Sequence, residues 1–84
     1  MHTVEEKLRT FVVENIIFSS DGYPYADETS FLDNGIVDST SVLELIAFIE
    51  EEFNLSIKDS EVVQENFDSI INLSNFIRSK VQNI

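Results

Sequence analysis

The chain has 84 residues, 43% of them hydrophobic and seven of them Phe, which suffices for one small core but leaves little room for a deep cleft. It has no Cys, which excludes disulfides and thiolate chemistry, and its formal net charge of −11 disfavours nucleic acid and anionic membranes as partners. We expect residues 1–84 to form a single domain, monomeric, soluble and cytoplasmic. No apolar run is long enough to span a membrane, and the charged N-terminus lacks the apolar stretch of a signal peptide.

The first predicted helix begins at Thr3, which has the spacing of a capping box with Glu6. Apolar residues then recur at helical spacing: Val4, Leu8, Phe11, Val12 and Ile16. Residues 18–38 contain both glycines and the only proline, so we expect a long connecting loop, a feature that is usually functional in a small domain. We expect the apolar side chains of this loop to anchor it on the helices: Phe18, Phe31, Leu32, Ile36 and Val37.

A second helix is predicted to begin near Ser39, where Asp38, Ser39 and Ser41 are all suitable caps. At about 100° per residue, one side of this helix is an apolar stripe that predicts burial. The stripe consists of Val42, Leu45, Ile46, Ile49 and Phe53. On the opposite side, Leu43 and Ala47 form a small apolar pair among the carboxylates of Glu44, Glu50 and Glu51.

The last third of the chain predicts two further helices. Asp59 or Ser60 can cap a short one that contains Glu61, Val62, Val63 and Glu65. Asp68 is the predicted cap of the last helix, whose core stripe is Ile70, Leu73, Ile77 and Val81. Residues 55–57 are too short for a useful strand and are assigned to a loop. The predicted fold is therefore all-α, a small four-helix bundle of three main helices and one short helix, with the long loop between the first two.

Catalytic patterns are missing from the sequence. His2 is the only histidine and lies at the N-terminus, so a Ser-His-Asp relay has no base. The segments Asp21-Gly22 and Asp33-Asn34-Gly35 lack the ligand spacing of a calcium loop, and no phosphate-binding glycine loop is present. We therefore expect a protein that is not an enzyme and has no dedicated metal site.

Four runs carry a resemblance to a known family: Thr29-Ser30-Phe31-Leu32, Asp38-Ser39, Val42-Leu43-Glu44-Leu45 and Glu50-Glu51-Glu52-Phe53. With the length, the acidity and the helical pattern, they resemble acyl carrier proteins across nearly the whole chain. The resemblance implies that Ser39 carries 4′-phosphopantetheine, transferred from coenzyme A by a phosphopantetheinyl transferase with magnesium, and that Asp38 assists recognition by the transferase. The Asp-Ser pairs at Asp59-Ser60 and Asp68-Ser69 precede helices without an acidic outer face and serve as controls for plain capping.

The implied function is to hold acyl groups as thioesters and to present them to partner enzymes. Ten carboxylates and no basic residue lie within positions 10–57, which favours docking of acyl-loading and acyl-transferring enzymes through basic patches. The implied docking face consists of Leu43, Glu44, Ala47, Glu50 and Glu51.

Some positions depart from the pattern of fatty-acid carriers. Thr40 follows the serine where many of them have Leu, Ser41 stands where an acidic residue is usual, and Gly35-Ile36-Val37 replaces a Leu-Gly pair. The form Gly-Ile-Val-Asp-Ser is more similar to discrete carriers of polyketide-type, lipid-modifying or aminoacyl-transferring systems, with fatty-acid synthesis still open. Peptidyl carriers usually have Gly-Gly-x-Ser, which Val37-Asp38 does not match.

Two alternatives remain at this point. The chain could be an aminoacyl or peptidyl carrier of a specialised pathway. It could also be an acidic helical adaptor without a prosthetic group, which binds a basic partner through the same helix and uses Ser39 only as a cap.

Overall fold

Four α-helices make up most of the regular structure in residues 3–81, the part of the chain that the computed structural model describes. They are α1 (Val4–Val12), α2 (Ser39–Phe53), α3 (Gln64–Phe67) and α4 (Ile70–Val81). Helix α1 packs against α4 and α2, and α3 packs against α4. No strand occurs in the described residues, and the predicted bundle of three main helices and one short helix is confirmed. His2 lies outside those residues.

Helix α1 begins with the predicted capping box. The Thr3 hydroxyl accepts a hydrogen bond from the Glu6 N–H at 3.1 Å, and the Glu6 carboxylate accepts one from the Thr3 N–H at 3.2 Å. The helix continues as one π-helical turn, Val13–Ile17, and ends at Phe18 in the left-handed conformation (φ 53°). The chain reverses at this residue and leaves the Phe18 side chain 76% exposed. The prediction that Phe18 anchors the loop was therefore wrong.

The core is formed by α1, α2, α4, Phe67 of α3 and two residues of the long loop. Its fully buried members include Leu8, Val12, Leu45, Ile49, Ile70, Leu73 and Ile77. The predicted stripe of α2 is confirmed, since Leu45 and Ile49 are inaccessible and its other members are half-buried. In α4, Val81 is 39% exposed, contrary to the prediction. Arg78 already contacts Glu5 in the first turn of α1, so a residue one turn further along α4 has passed the start of α1.

The segment predicted as one short third helix is divided in two. A 3₁₀ turn spans Asp59–Glu61, and α3 begins only at Gln64. The Glu61 carboxylate folds back to accept a hydrogen bond from the Lys58 N–H at 2.8 Å, and Val62 leaves the helical region (φ −84°, ψ 76°). Neither Asp59 nor Ser60 caps a helix that continues through residue 65.

Helix α4 is capped by Ser69 rather than by Asp68. The Ser69 hydroxyl accepts a hydrogen bond from the Asn72 N–H at 3.1 Å, which is the bond that a helix cap makes. The prediction of Asp68 as the cap was wrong because both oxygens of its carboxylate bind the long loop instead.

The long loop, residues 18–38, is attached to the bundle through Asp68. The Ser30 hydroxyl donates to the Asp68 carboxylate at 2.6 Å, and the Leu32 N–H donates to its other oxygen at 3.0 Å. The Phe31 N–H donates to the Asp68 carbonyl, also at 2.6 Å. Phe31 and Ile36 are buried as predicted, but the Leu32 side chain is 65% exposed, so Leu32 contributes its amide rather than its side chain.

Candidate functional site

At the start of α2, the residue that caps the helix and the residue with an exposed hydroxyl are two different residues, Asp38 and Ser39. The Asp38 carboxylate accepts a hydrogen bond from the Ser41 N–H at 2.8 Å, and the Asp38 backbone is extended (φ −107°, ψ −175°). This hydrogen bond lowers the pKa of Asp38 below its ordinary value and favours the ionised form. Ser39 is the first helical residue, and within residues 3–81 its exposed hydroxyl makes no hydrogen bond. The helix cap is therefore Asp38, and Ser39 is not needed for it.

The path of the loop explains this arrangement. Gly35 has φ 61°, a left-handed conformation that suits glycine, and nothing lies within 4 Å of the place where a Cβ would stand. The turn lets the Ile36 N–H donate to the Phe31 carbonyl at 2.9 Å and places the Ile36 side chain, 6% exposed, in the core. Two residues later the chain reaches the surface at Asp38.

The two other Asp-Ser pairs lie in different surroundings. Ser69 is 3% exposed, and its hydroxyl caps α4. Ser60 is exposed but lies inside the three-residue 3₁₀ turn. Among the three pairs, only Ser39 combines an exposed hydroxyl with the first turn of a long helix.

An apolar groove of about 210 Å³ lies beside this turn. Its lining residues come from the loop, α2, the segment before α3, and α3: Phe31, Leu32, Val37, Val42, Val62, Val63, Gln64, Phe67 and Asp68. Val37 and Val42 flank the turn that carries Ser39. No local pattern in the sequence indicates the groove, because residues far apart in the chain must meet to form it.

The outward side of α2 is exposed at four of the five positions named from the sequence. Leu43 is 66% exposed, and Glu44, Ala47 and Glu51 are also exposed. Glu50 differs, since it is half-buried and its carboxylate accepts a hydrogen bond from the Ile57 N–H at 2.8 Å. Glu50 therefore holds the segment that follows α2. The docking role of these residues stays a prediction.

Ion pairs neutralise four of the five basic residues. The ion pairs, with their nitrogen-to-oxygen distances, are Lys7–Glu52 (3.2 Å), Arg9–Asp27 (2.9 Å), Arg78–Glu5 (2.6 Å) and Lys80–Glu61 (2.7 Å). In contrast, Glu44 and Glu51 have no hydrogen-bond or ion-pair partner in the part of the chain that is described. The outward side of α2 therefore presents unneutralised negative charge to a partner.

The sequence is similar to curated acyl carrier proteins over nearly its whole length. The acyl carrier protein of Buchnera aphidicola subsp. Acyrthosiphon pisum (strain 5A) is 29% identical over 80 residues, which is 95% of each chain. Those of strains Tuc7 and APS match to the same extent. The chain is similar to acyl carrier proteins. No family model matches the sequence.

A solved structure shares the fold. A chain in the "Crystal structure of FAD-dependent dehydrogenase" superposes with a TM-score of 0.73 and 25% identity. The superposition covers 83% of the present chain and 97% of that chain, so the matching chain is also short. Among residues 3–81, no three His, Cys, Asp or Glu side chains form a group that could hold a metal ion. None of the helices in this range is both long and apolar enough to cross a membrane.

Proposed function

We propose that the chain is a discrete acyl carrier protein, a single carrier domain over residues 1–84, with 4′-phosphopantetheine attached at Ser39. The observation that carries this proposal is the division of roles at the start of α2. Asp38 caps the helix, so the Ser39 hydroxyl is exposed and has no structural task. The likeness to acyl carrier proteins over 95% of the chain supports it.

The residues around Ser39 fit the prosthetic group. The N-terminal end of α2 carries the positive end of the helix dipole, which favours the negative charge of a phosphodiester. A serine hydroxyl is a weak nucleophile, and no histidine lies in residues 3–81, so a phosphopantetheinyl transferase must supply the base. Asp38, ionised and exposed beside the hydroxyl, suits recognition by the transferase. When bound, the group supplies the thiol on which acyl groups are held as thioesters.

The apolar groove favours acyl cargo over aminoacyl cargo. Its walls are largely Val and Phe, and the carboxylate of Asp68 on its lining already accepts hydrogen bonds from Ser30 and Leu32, so burying a charged ammonium group there is less favourable than burying an acyl chain. At about 210 Å³ it is smaller than the roughly 300–1,000 Å³ of a typical small-molecule pocket, which suits a narrow chain. We therefore assign the protein to fatty-acid, polyketide or related lipid biosynthesis in the cytoplasm, before an aminoacyl or peptidyl pathway.

Partner enzymes would dock on the outward side of α2. Leu43 and Ala47 offer apolar contact, while Glu44 and Glu51 attract basic patches, with Glu50 contributing charge from its half-buried position. The variant with Glu44→Lys and Glu51→Lys should fold normally and should be modified more slowly by a basic transferase at low salt. Added salt should also slow the wild type, because exposed charges are screened beyond ~8 Å at physiological ionic strength. Equal rates at low salt would refute this docking role.

The decisive experiment is intact-mass measurement after incubation with coenzyme A, magnesium and a promiscuous phosphopantetheinyl transferase. The wild type should gain one phosphopantetheine, and Ser39→Ala should gain none although it stays folded, because the cap Asp38 is retained. Thr40→Ala and Ser60→Ala remove neighbouring or comparable exposed hydroxyls and should leave the gain intact. A mass gain on Ser39→Ala would refute the assignment, and no gain on the wild type would favour the adaptor without a prosthetic group.

A further inference from the structure

Phe18 is the one phenylalanine of the described residues that takes no part in the core. Its side chain is 76% exposed, and its ring makes no aromatic contact within residues 3–81. The other six belong to the buried cluster or pack against it: Phe11, Phe31, Phe48, Phe53, Phe67 and Phe76. Packing of the fold therefore does not account for an aromatic residue at position 18.

The backbone at Phe18 is also unfavourable for a bulky side chain. Its φ of 53° and ψ of 43° lie in the left-handed region, where Gly or Asn usually ends a helix. Helix α2 ends in the same conformation at Asn54 (φ 54°), so the favoured residue type stands there. The π-helical turn Val13–Ile17 directly precedes Phe18, and such turns are frequent at functional sites. An exposed phenylalanine in a strained conformation indicates a role outside folding.

Helices α1 and α2 run in opposite directions, which decides where Phe18 lies. Lys7 Nζ is 3.2 Å from a carboxylate oxygen of Glu52. Four residues further along α1, the Phe11 ring stacks on Phe48, four residues earlier in α2, with centroids 4.3 Å apart. The end of α1 therefore lies toward the beginning of α2.

Phe18 and Ser39 extend to similar levels at this end of the molecule. Phe18 follows Phe11 by seven residues, about 10 Å along a helix axis. Ser39 precedes Phe48 by nine residues, about 14 Å. A protein interface of about 800 Å² per partner corresponds to a patch roughly 30 Å across. The domain measures only 36 × 30 × 20 Å, so an enzyme whose active site covers Ser39 also reaches the end of α1.

We propose that the phosphopantetheinyl transferase takes the Phe18 side chain into an apolar pocket when it modifies Ser39. The transferase is the partner that this position fits, because its reaction takes place on the Ser39 hydroxyl itself and it must cover the start of α2. Enzymes that act on the thiol meet it at the end of the prosthetic arm and need not cover this end of the bundle. A second copy of the chain is a poor occupant, because a formal net charge of −11 on each copy opposes association.

This inference rests on the proposed carrier function, but it adds a contact of a different physical kind. The proposed docking side of α2 acts through carboxylates, whose effect is screened by salt. Burial of an aromatic ring is not screened in this way, and aromatic side chains are enriched in the buried core of protein interfaces. Loss of the ring should therefore weaken binding by the same factor at low and at high salt.

The test is the rate at which the full chain is modified by a transferase that modifies the wild type, with coenzyme A and magnesium, followed by intact mass. Phe18→Asn should lower kcat/KM about tenfold, the effect of losing one buried aromatic anchor. KM should rise while kcat at saturation stays the same, because the contact is made equally before and during the reaction. Phe18→Leu keeps most of the apolar surface and should lose less.

Two controls separate lost binding from lost folding. Asn suits the left-handed conformation, so Phe18→Asn should unfold at the same urea concentration as the wild type or at a higher one. Val81→Asn is the matched change, since Val81 is 39% exposed at the end of α4, where Arg78 contacts Glu5 in the first turn of α1, away from Phe18. It should leave kcat/KM unchanged.

A binding measurement completes the test. Ser39→Ala forms a complex that cannot react, and in an NMR titration with the transferase the ring resonances of Phe18 should shift while the methyl resonances of Val81 should not. If the wild type is modified but Phe18→Asn has the same kcat/KM, or if the Phe18 resonances do not change, this inference is wrong and the carrier function stands. A wild type that is not modified at all contradicts the carrier function itself. Dimerisation that Phe18→Asn abolishes would assign the side chain to a second copy and overturn the proposal.

Discussion

The hydrogen bond between Ser30 and Asp68 should make a measurable contribution to the free energy of unfolding of the domain. Asp68→Ala removes two short hydrogen bonds to a carboxylate, from the Ser30 hydroxyl at 2.6 Å and from the Leu32 N–H at 3.0 Å, and a long one from the Gln64 side-chain amide at 3.5 Å. Such bonds contribute about 1.5–3 kcal/mol each when well buried. Asp68 is only half-buried, so we expect these hydrogen bonds together to contribute about 2 kcal/mol to the free energy of unfolding. A domain of this size has a total of only about 4–12 kcal/mol.

A double-mutant cycle isolates the contact. Ser30→Ala also removes the acceptor of the Asp33 N–H, so its own cost of about 1–2 kcal/mol is not specific. The coupling between Ser30→Ala and Asp68→Ala, measured by urea unfolding at pH 7, should be about 1 kcal/mol. In native-state hydrogen exchange, the Leu32 amide should lose protection in Asp68→Ala, whereas the Ser41 amide, bound to Asp38, should not.

The pH dependence of this contact has a definite sign. Burial raises the pKa of Asp68, but hydrogen bonds from Ser30 and Leu32 outweigh it and hold the pKa below its ordinary value. The folded state therefore gains stability from Asp68 above the unfolded pKa of about 3.9 and loses it as the pH falls further. The difference between wild type and Asp68→Asn should shrink below about pH 4. A coupling near zero, together with a difference that does not change with pH, would refute the reasoning.

Two further predictions follow from burial and charge. Leu45 is inaccessible and Leu43 is 66% exposed, so Leu45→Ala should lower the free energy of unfolding by about 2–5 kcal/mol and Leu43→Ala by at most about 0.5 kcal/mol. Similar losses in urea unfolding would mean that α2 is rotated. A hydrogen bond from Arg78 lowers the pKa of Glu5 to about 2. In urea unfolding, Glu5→Gln should therefore cost about 1 kcal/mol above pH 4.5, and the cost should disappear as the pH falls toward 2. A cost that does not change with pH would contradict this reasoning.

The parts of the fold that depend on neighbours in sequence were predictable. The capping box of Thr3 and Glu6 and the buried stripe around Leu45 and Ile49 follow from spacings of three and four residues. The role of Asp68 was not predictable, because its partner Ser30 lies 38 residues away and a helix cap is the more obvious local use of an Asp. The sequence contains no signal that chooses between the two.

The candidate site was also predictable only in part. The Asp38-Ser39 pair and the exposed side of α2 were named from the sequence, but which residue caps the helix was not decided there. The extended backbone at Asp38 decides it, and that conformation depends on the path of the loop from Gly35. Glu50 looked outward on a helical wheel, yet its carboxylate meets the Ile57 amide seven residues further on, beyond the helix that the wheel describes.

The ion pair between Glu5 and Arg78 has a consequence for protein engineering. Its two hydrogen bonds, 2.6 and 2.7 Å long, place the first turn of α1 beside the last turn of α4. Polypeptide attached before and after the bundle would leave it at neighbouring points, so the domain suits insertion into a surface loop of a host protein. A short linker could also join these two turns, and new termini could be opened at the exposed turn around Gly22 without cutting a helix.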